Sequence, residues 1–435
     1  MGLGIDIKGE IKAGGLFKAT PPAEKLLIDI EKFFITHGND ILKKLVRVDR
    51  GARELRIVLH PAEEPIEFAI SENGITCSAK TNSAGPGYHS YIIDLLETCE
   101  EKLNIKWDWG KESGQVGDET GYYQRRDYQS LQMEMVAWLK KIAQFLVKDE
   151  LENIKICMPA DYFLEGEYFT ISPLGFWSRE WFKTVSESPE VNLCHYGSEF
   201  FPWWSLEADA LFYLNTAKTL MWTECPWHEP ASEDETKLYR IICESLEKAY
   251  QLDKGIDYPW NEWVELLTLL GETKRAKQIK DLPTPNKHTS KIGFKRLPMK
   301  RNLSGGWKVT LPGYFYSDLE DDRGTIVYWY KDKTVRGSSL KVQGDGDIPV
   351  PAGKLIADFF SREKEAEFVE VIIVDNEDLK GKAGISYCND GYWVLSGDTA
   401  IDGNIAIITI CYENESDKEW AIETWKTVGR ERTTS

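Results

Sequence analysis

Two cysteines and two histidines in the middle of the chain invite a metal reading: Cys194-His195, then Cys225-Pro-Trp-His228. Zinc asks for four such ligands in a tetrahedron, with paired ligands normally two to four residues apart. Adjacent Cys194 and His195 point in different directions in most backbone conformations, so one ion would not be reached by both. The pattern favours two core cysteines and two partly exposed histidines, and no metal or other cofactor is expected.

Nucleophilic catalysis needs a base within hydrogen-bond reach of an activated nucleophile. Six histidines are present, and no GxSxG elbow accompanies them. The best remaining candidate is "GPGYHSY", in which Gly85 and Gly87 would let a loop approach a ligand at a helix start, with His89 and Ser90 in the first turn. These glycines match neither the P-loop nor the dinucleotide fingerprint, and glycine and proline also punctuate ordinary turns. The connection that follows carries Glu119, Tyr122, Tyr123, Arg125 and Arg126. If the chain is an enzyme, His89, Glu119, Tyr122 and Arg125 are the predicted catalytic group. Glu199, Glu207, Asp209 and Glu224 are further carboxylates, but abundance is not pairing.

Of sixteen tryptophans, eleven fall between Trp107 and Trp263. Over residues 205 to 224, Leu206, Ala210, Leu214, Ala217 and Met221 form one stripe, while Leu211, Phe212, Tyr213 and Leu220 occupy other faces. A helix apolar around most of its girth is buried on several sides. Aromatic recognition is then expected where "FFPWW" and "CPWHE" leave that helix, with Trp203, Trp204, Trp227 and His228 as binding residues.

The elements that must hold these residues suggest three modules. Residues 1 to 150 read as an α/β module. A glycine-rich opening gives way after Pro21-Pro22 to a helix on Leu26, Ile30, Phe33 and Phe34. Three antiparallel strands follow, "ELRIVLH", "PIEFAIS" and "GITCSAK". Two more helices carry the stripes Ile92, Leu95, Leu96, Cys99, Leu103 and Tyr128, Leu131, Met135, Trp138, Leu139, Ile142, Leu146. Between them, residues 105 to 127 form a long polar connection, of a length usually mobile or functional. "ENIKICMPADYF" suggests one further strand.

Residues 151 to 281 read as a mostly helical, tryptophan-rich domain, with Ser232 and Glu235 at the spacing of a capping box. Residues 282 to 306 are basic and broken by proline and glycine, the composition of a linker. From Trp307 to about 430, seven alternating segments and two helices, "AGKLIADFFS" and "DKEWAIETWKTV", predict an antiparallel sheet with helices on one or both faces. Residues 431 to 435 are expected as a disordered tail. The fold class is therefore multidomain α+β.

In this last region the strand "GWKVTLPGYF", the central helix, the antiparallel sheet and the terminal helix "WAIETWKTV" resemble the PsbP/Mog1-like group, over residues 305 to 430. The resemblance implies a binding or accessory domain without a shared catalytic site, so it assigns no functional residue. It does not extend to residues 1 to 280.

The formal charge is −18, from 71 acids against 53 bases. Such a field repels phosphate backbones and anionic lipid and favours cationic partners. A protein partner is expected, which the charge permits but does not require to be basic, and neither nucleic acid nor membrane. No run of apolar residues is long enough to span a bilayer. "MGLGIDIKGE" lacks the basic and apolar regions of a secretory signal, Asp6 departs from the myristoylation pattern, and cytoplasmic residence is expected. Eight cysteines without a CxxC pair suggest reduced, buried thiols.

Two functional readings follow. The first is an intracellular interaction protein, in one form an immunity or accessory protein of a bacterial conflict or secretion system. The second is a hydrolase or transferase with its pocket between the first two domains, under a lid formed by residues 105 to 127. The lack of a catalytic fingerprint favours the first.

Overall fold

The computed structural model describes residues 2–11, 23–72, 74–110, 117–159, 162–189, 192–282, 291–320, 324–344, 348–360, 368–375 and 379–430. It is mixed α and β, with several antiparallel sheets, and divides into two compact units. One comprises Met1–Met158 and Glu167–Gly293, the other Pro159–Gly166 and Phe294–Ser435. The expected tail and residues 283–290 of the expected linker lie outside the described residues.

The first unit is built on a sheet of β1 (Gly4–Ile11), β2 (Arg47–Arg50), β3 (Glu54–Val58), β4 (Ile66–Ser71), β5 (Gly74–Lys80), β6 (Ile105–Asp108) and β7 (Gly117–Asp118). The order is β2-β3-β4-β5-β1-β6, with β7 also on β1, and every pairing is antiparallel. The strands expected over residues 54 to 80 are β3, β4 and β5. The glycine-rich opening, expected only as a lead-in, is instead the inner strand β1. Ile5 and Ile7 of β1 are buried while Asp6 and Lys8 face water, the two-residue period of a half-covered strand. Gly9 keeps that period without a side chain, because a Cβ there would lie 2.7 Å from the Trp107 ring.

Helices α1 (Ala23–Thr36), α2 (Leu42–Leu45), α3 (Pro86–Leu103), α4 (Tyr122–Arg125) and α5 (Tyr128–Lys148) accompany this sheet. The connection over residues 105 to 127 holds β6, β7 and α4, and its residues 111–116 lie outside the described residues. Strands β8 (Ile154–Lys155), β10 (Thr170–Ser172) and β11 (Gly175–Trp177) make a small separate sheet.

Helices α6 (Arg179–Glu187), α7 (Leu193–Phe200), α8 (Ala210–Thr223), α9 (Glu233–Leu252), α10 (Trp260–Leu269) and α11 (Thr273–Lys280) complete the unit. Helix α8 buries Phe212, Tyr213, Leu214, Asn215 and Thr216 in succession, as an apolar girth requires. At the start of α9, Ser232 accepts from Glu235 N, while the Glu235 carboxylate reaches the N–H of Ala231, one residue earlier than a capping box predicts. A sequence boundary near residue 150 is expected. A single cluster of buried side chains nevertheless runs from Ile5 to Ala276, so sheet and helices share one core.

The second unit has two sheets. A four-stranded one runs β21 (Gly429–Arg430), β13 (Trp307–Pro312), β12 (Pro298–Asn302), β9 (Phe163–Leu164). Strand β12 lies where the sequence suggests a solvated linker. Its Met299 is buried, and the strand pairs with β13 and β9. The seven-stranded sheet comprises β14 (Tyr316–Leu319), β15 (Ile326–Tyr330), β16 (Lys333–Lys341), β17 (Glu370–Asp375), β18 (Lys380–Tyr387), β19 (Trp393–Ile401) and β20 (Asn404–Tyr412). Its order is β14-β15-β16-β20-β19-β18-β17, antiparallel throughout.

Helix α12 (Ala352–Phe360) packs with Ala400 and Ile405, and α13 (Lys418–Lys426) with Ala406, Ile408 and Ile410. Neighbouring strand residues point to opposite faces, so the two helices cover opposite sides of the sheet. Trp425 of α13 fits where Gly381 and Gly397 lack side chains; a Cβ at Gly397 would sit 2.4 Å from its Nε1.

Candidate functional site

The segment that the sequence singles out, Thr81 to Ser90, runs from the end of β5 into α3. Gly85 adopts φ +107°, a conformation that glycine takes without strain, and precedes Pro86 at the start of the helix. Both glycines make room for protein. A Cβ on Gly87 would lie 2.1 Å from Trp203 Cδ1, and one on Gly85 2.6 Å from Phe201 Cβ. The Gly87 N–H donates to Trp203 O at 3.0 Å and the Trp203 N–H to Ala84 O at 2.8 Å. "FFPWW" therefore lies along the first turn of α3, where the sequence suggests a ligand.

His89 is fully buried. Its Nδ1 lies 2.8 Å from Thr81 Oγ1, and its Nε2 lies 3.0 Å from both Asp118 Oδ1 and Thr120 Oγ1. Asp118 also accepts from Thr120 N, Thr120 Oγ1 and Tyr123 N, at 2.7 to 2.8 Å. Burial alone would raise its pKa. The His89 hydrogen bond and charge, with the Tyr123 N–H and Thr120 bonds, reverse this and hold it at about 2. A histidine oriented by a buried aspartate is half of a catalytic constellation. Here both ring nitrogens face hydroxyls or a carboxylate that are themselves buried, so the group ties β5, β7 and α3 together.

The remaining members of the predicted catalytic group are dispersed. Tyr122 is buried, its ring 6.3 Å from that of His89, and its hydroxyl accepts from Ser90 Oγ at 2.9 Å. Glu119 is exposed and accepts the Gly4 N–H at 2.8 Å. Arg125 is exposed and donates to Thr120 O. The structure thus brings His89 and Tyr122 together in the interior and turns Glu119 and Arg125 to the surface.

The predicted aromatic binding residues are placed inward as well. Trp203 is buried against Phe212, with ring centroids 4.3 Å apart, and Trp204 is half-buried. Trp227 is buried and donates its Nε1–H to Met221 O at 3.1 Å. The backbone of half-buried His228 exchanges two hydrogen bonds with the Tyr239 hydroxyl, at 3.2 and 2.7 Å. Cys225 is buried, Cys194 Sγ lies 3.8 Å from Met133 Sδ, and exposed His195 faces Glu199 at 3.3 Å. Among the described residues no group of three or more His, Cys, Asp or Glu side chains stands close enough to hold a metal ion.

A second polar cluster beside the same loop escapes sequence reasoning. Glu63 is 8% exposed, and its Oε1 accepts the N–H groups of Ser83 and Ala84, each at 2.7 Å. Burial pushes its carboxyl up to about 8 despite those two bonds. Its Oε2, the Tyr88 hydroxyl and His60 Nε2 have no hydrogen-bond partner among the described residues. His60 Nδ1 accepts the Ala62 N–H at 3.2 Å, and burial pulls the imidazole down to about 3, so the ring is neutral. Cys157 adopts φ +59°, and burial holds its thiol up at about 12, protonated at neutral pH and a poor nucleophile. The only sequence signal here is "HPAEEP", charges between two prolines, which reads as an exposed turn.

Elsewhere in this unit, an open depression of about 820 Å³ lies at the start of α9, lined by Lys44, Pro230, Ser232, Lys237, Arg240 and Glu244. Lys44 and Glu244 pair at 2.5 Å, and the mixture of charges selects no ligand class.

Exposed apolar side chains gather in the second unit. Strand β17 ends its sheet, and Val371 and Ile373 are 48% and 67% exposed, with Val369 just before them at 70%. On the opposite face, Ile372 and Val374 pack on the core. An ion pair stands at each end of the strand: Glu370 pairs with Lys418 at 2.9 Å, and Asp375 with Lys380. Glu370, Glu415 and Asp417 together raise the Tyr412 phenol, after burial, to about 12.

No protein-family model matches this chain, and no curated protein matches it. Among solved structures, the solution structure of cyanobacterial PsbP (CyanoP) from Synechocystis sp. PCC 6803 is similar over 29% of this chain and 87% of its own. The two are 12% identical, with a TM-score of 0.22, a likeness too weak to bear on function. No helix among the described residues is long and apolar enough to cross a membrane.

Proposed function

We propose that this protein is a binding protein whose partner is basic. The observation that carries the reading is the exposed apolar row Val369, Val371 and Ile373, in a chain of net charge −18. Burying one such side chain is worth about 1.5–3 kcal/mol, and the net negative charge of the chain would draw in a cationic partner. The buried placement of His89 and of its partners supports the same choice, since neither ring nitrogen faces a site where a substrate could lie. In one concrete form the protein is an immunity or accessory protein that captures a basic protein of a conflict or secretion system inside the cell.

The test is capture of partners by the tagged chain from its own cells, at low and at moderate salt. A basic protein retained at low salt and depleted at moderate salt is the expected result. Recovery of the chain alone under both conditions would remove the proposal's support.

A further inference from the structure

We infer that four buried side chains beside the start of α3 enclose a binding site for internal water, the molecule that completes their hydrogen bonds. They are His60 and Glu63 from the turn between β3 and β4, Tyr88 from the first turn of α3, and Trp203 from the segment that lies along it. None is more than 8% exposed. His60 Nε2, Glu63 Oε2, the Tyr88 hydroxyl and Trp203 Nε1 all lack a hydrogen-bond partner among the described residues. Buried polar atoms of folded chains nearly always have one, from protein or from ordered water.

The four side chains are neighbours. Ring centroids of His60 and Tyr88 lie 5.8 Å apart, and those of Tyr88 and Trp203 6.5 Å. Phe212 closes the circuit, 4.3 Å from Trp203 and 6.4 Å from His60. A Cβ on Gly87 would lie 2.4 Å from Trp203 Nε1, which sets that indole N–H against the helix turn that carries Tyr88. The Glu63 N–H donates to His60 O at 3.0 Å, so the two residues share one tight turn. The Tyr88 phenol is raised by burial and next by the Glu63 carboxyl, which places these two groups within electrostatic reach.

Chemistry decides the occupant. His60 Nδ1 accepts the Ala62 N–H, so Nε2 of the neutral ring carries the hydrogen and can only donate. The Trp203 indole also only donates. The Tyr88 hydroxyl donates or accepts, and so does the Glu63 carboxyl while it is protonated. Glu63 Oε1 is occupied by the N–H groups of Ser83 and Ala84, which leaves Oε2 for this role. A cation would meet two N–H donors, and an anion would meet the carboxyl as it ionises. A neutral molecule that both accepts and donates matches all four atoms, and the enclosure restricts it to something of water's size.

The experiment pairs a crystal structure of the full chain with urea unfolding of Tyr88→Phe. Electron density for water within hydrogen-bond distance of at least three of the four atoms is expected. Tyr88→Phe removes one hydroxyl and keeps the ring. It is expected to lower the urea midpoint by a few tenths molar, because a bond to water is lost. In a dry interior the same change would delete an unsatisfied polar atom, and the midpoint would stay or rise. That result would overturn the inference, and so would a structure in which these atoms meet no water. Density for an ion or a larger molecule at the four atoms would overturn it as well, since the occupant would then be of another class.

Discussion

The start of α3 and the edge of β17 invert the usual arrangement of a folded chain. At α3 a histidine, an aspartate, a glutamate and two threonines lie in the interior. At β17 valines and an isoleucine lie in water. Around His89 the polar groups are held because they satisfy one another: three hydrogen bonds at His89 and four at Asp118 leave little to gain from solvent. In the second region, apolar groups are exposed, and among the described residues nothing in the same sheet covers them. Side chains of catalytic type are thus enclosed in the first unit, while side chains of core type stand exposed in the second.

That contrast breaks most sharply at His89. Replacing it by alanine strands the Asp118 carboxylate in the interior, and loss of one partner of a buried pair typically costs about 3–5 kcal/mol. Urea unfolding of His89→Ala is expected to show a loss of that order near neutral pH. Acid should narrow it: the stability that the lowered Asp118 pKa supplies is present above the usual aspartate pKa near 4 and is lost as pH falls through about 2. A variant as stable as the parent would mean that the network is ornamental, and the comparison would fail.

Glu63→Gln sharpens the same side of the comparison through pH. A carboxyl that titrates at about 8 in the folded chain and 4.5 unfolded stays protonated while the unfolded chain ionises. Parent stability is then fullest below about pH 4.5 and falls as pH rises towards 8, by a few kcal/mol at most. Glutamine has no such titration. The variant should gain on the parent across that window, by about 1–3 kcal/mol near pH 8, and parallel melting curves from pH 5 to pH 8 would contradict this. The smallest effect belongs to β17. Ile373→Lys is expected to change unfolding free energy by less than about 0.5 kcal/mol, as exposed substitutions do, and a larger loss would show that the strand's outward row is already covered.

Elements with a clean period are legible in the sequence. Strands β3, β4 and β5, helices α3, α5 and α9, and strands β15 to β20 follow from alternation, stripes and caps, and so does the burial of α8 on several sides. Strand β1 is hidden because Gly4 and Gly9 make a two-residue alternation look like a loop. Strand β12 is hidden because lysine and arginine dominate a short strand whose buried residue is Met299. The site is harder. His89 stands out through its local context, but Asp118, which defines its surroundings, lies 29 residues away in a segment without pattern. Glu63 looks like one charge among many, and only packing turns it inward. Trp203 reads correctly as a large ring at a helix boundary. Which surface it meets is settled by Gly85 and Gly87, more than a hundred positions earlier in the sequence.

Trp425 seats between Gly381 and Gly397, and Gly429 and Arg430 then add the outer strand to Trp307 and Lys308. The carboxyl-terminal unit consequently lacks its closing wedge until a ribosome has delivered residues 418 to 430. During that interval the nascent sheet would stand with one face unsealed, a state prone to association. Chain order thus delivers Trp425 after the strands whose glycines receive it.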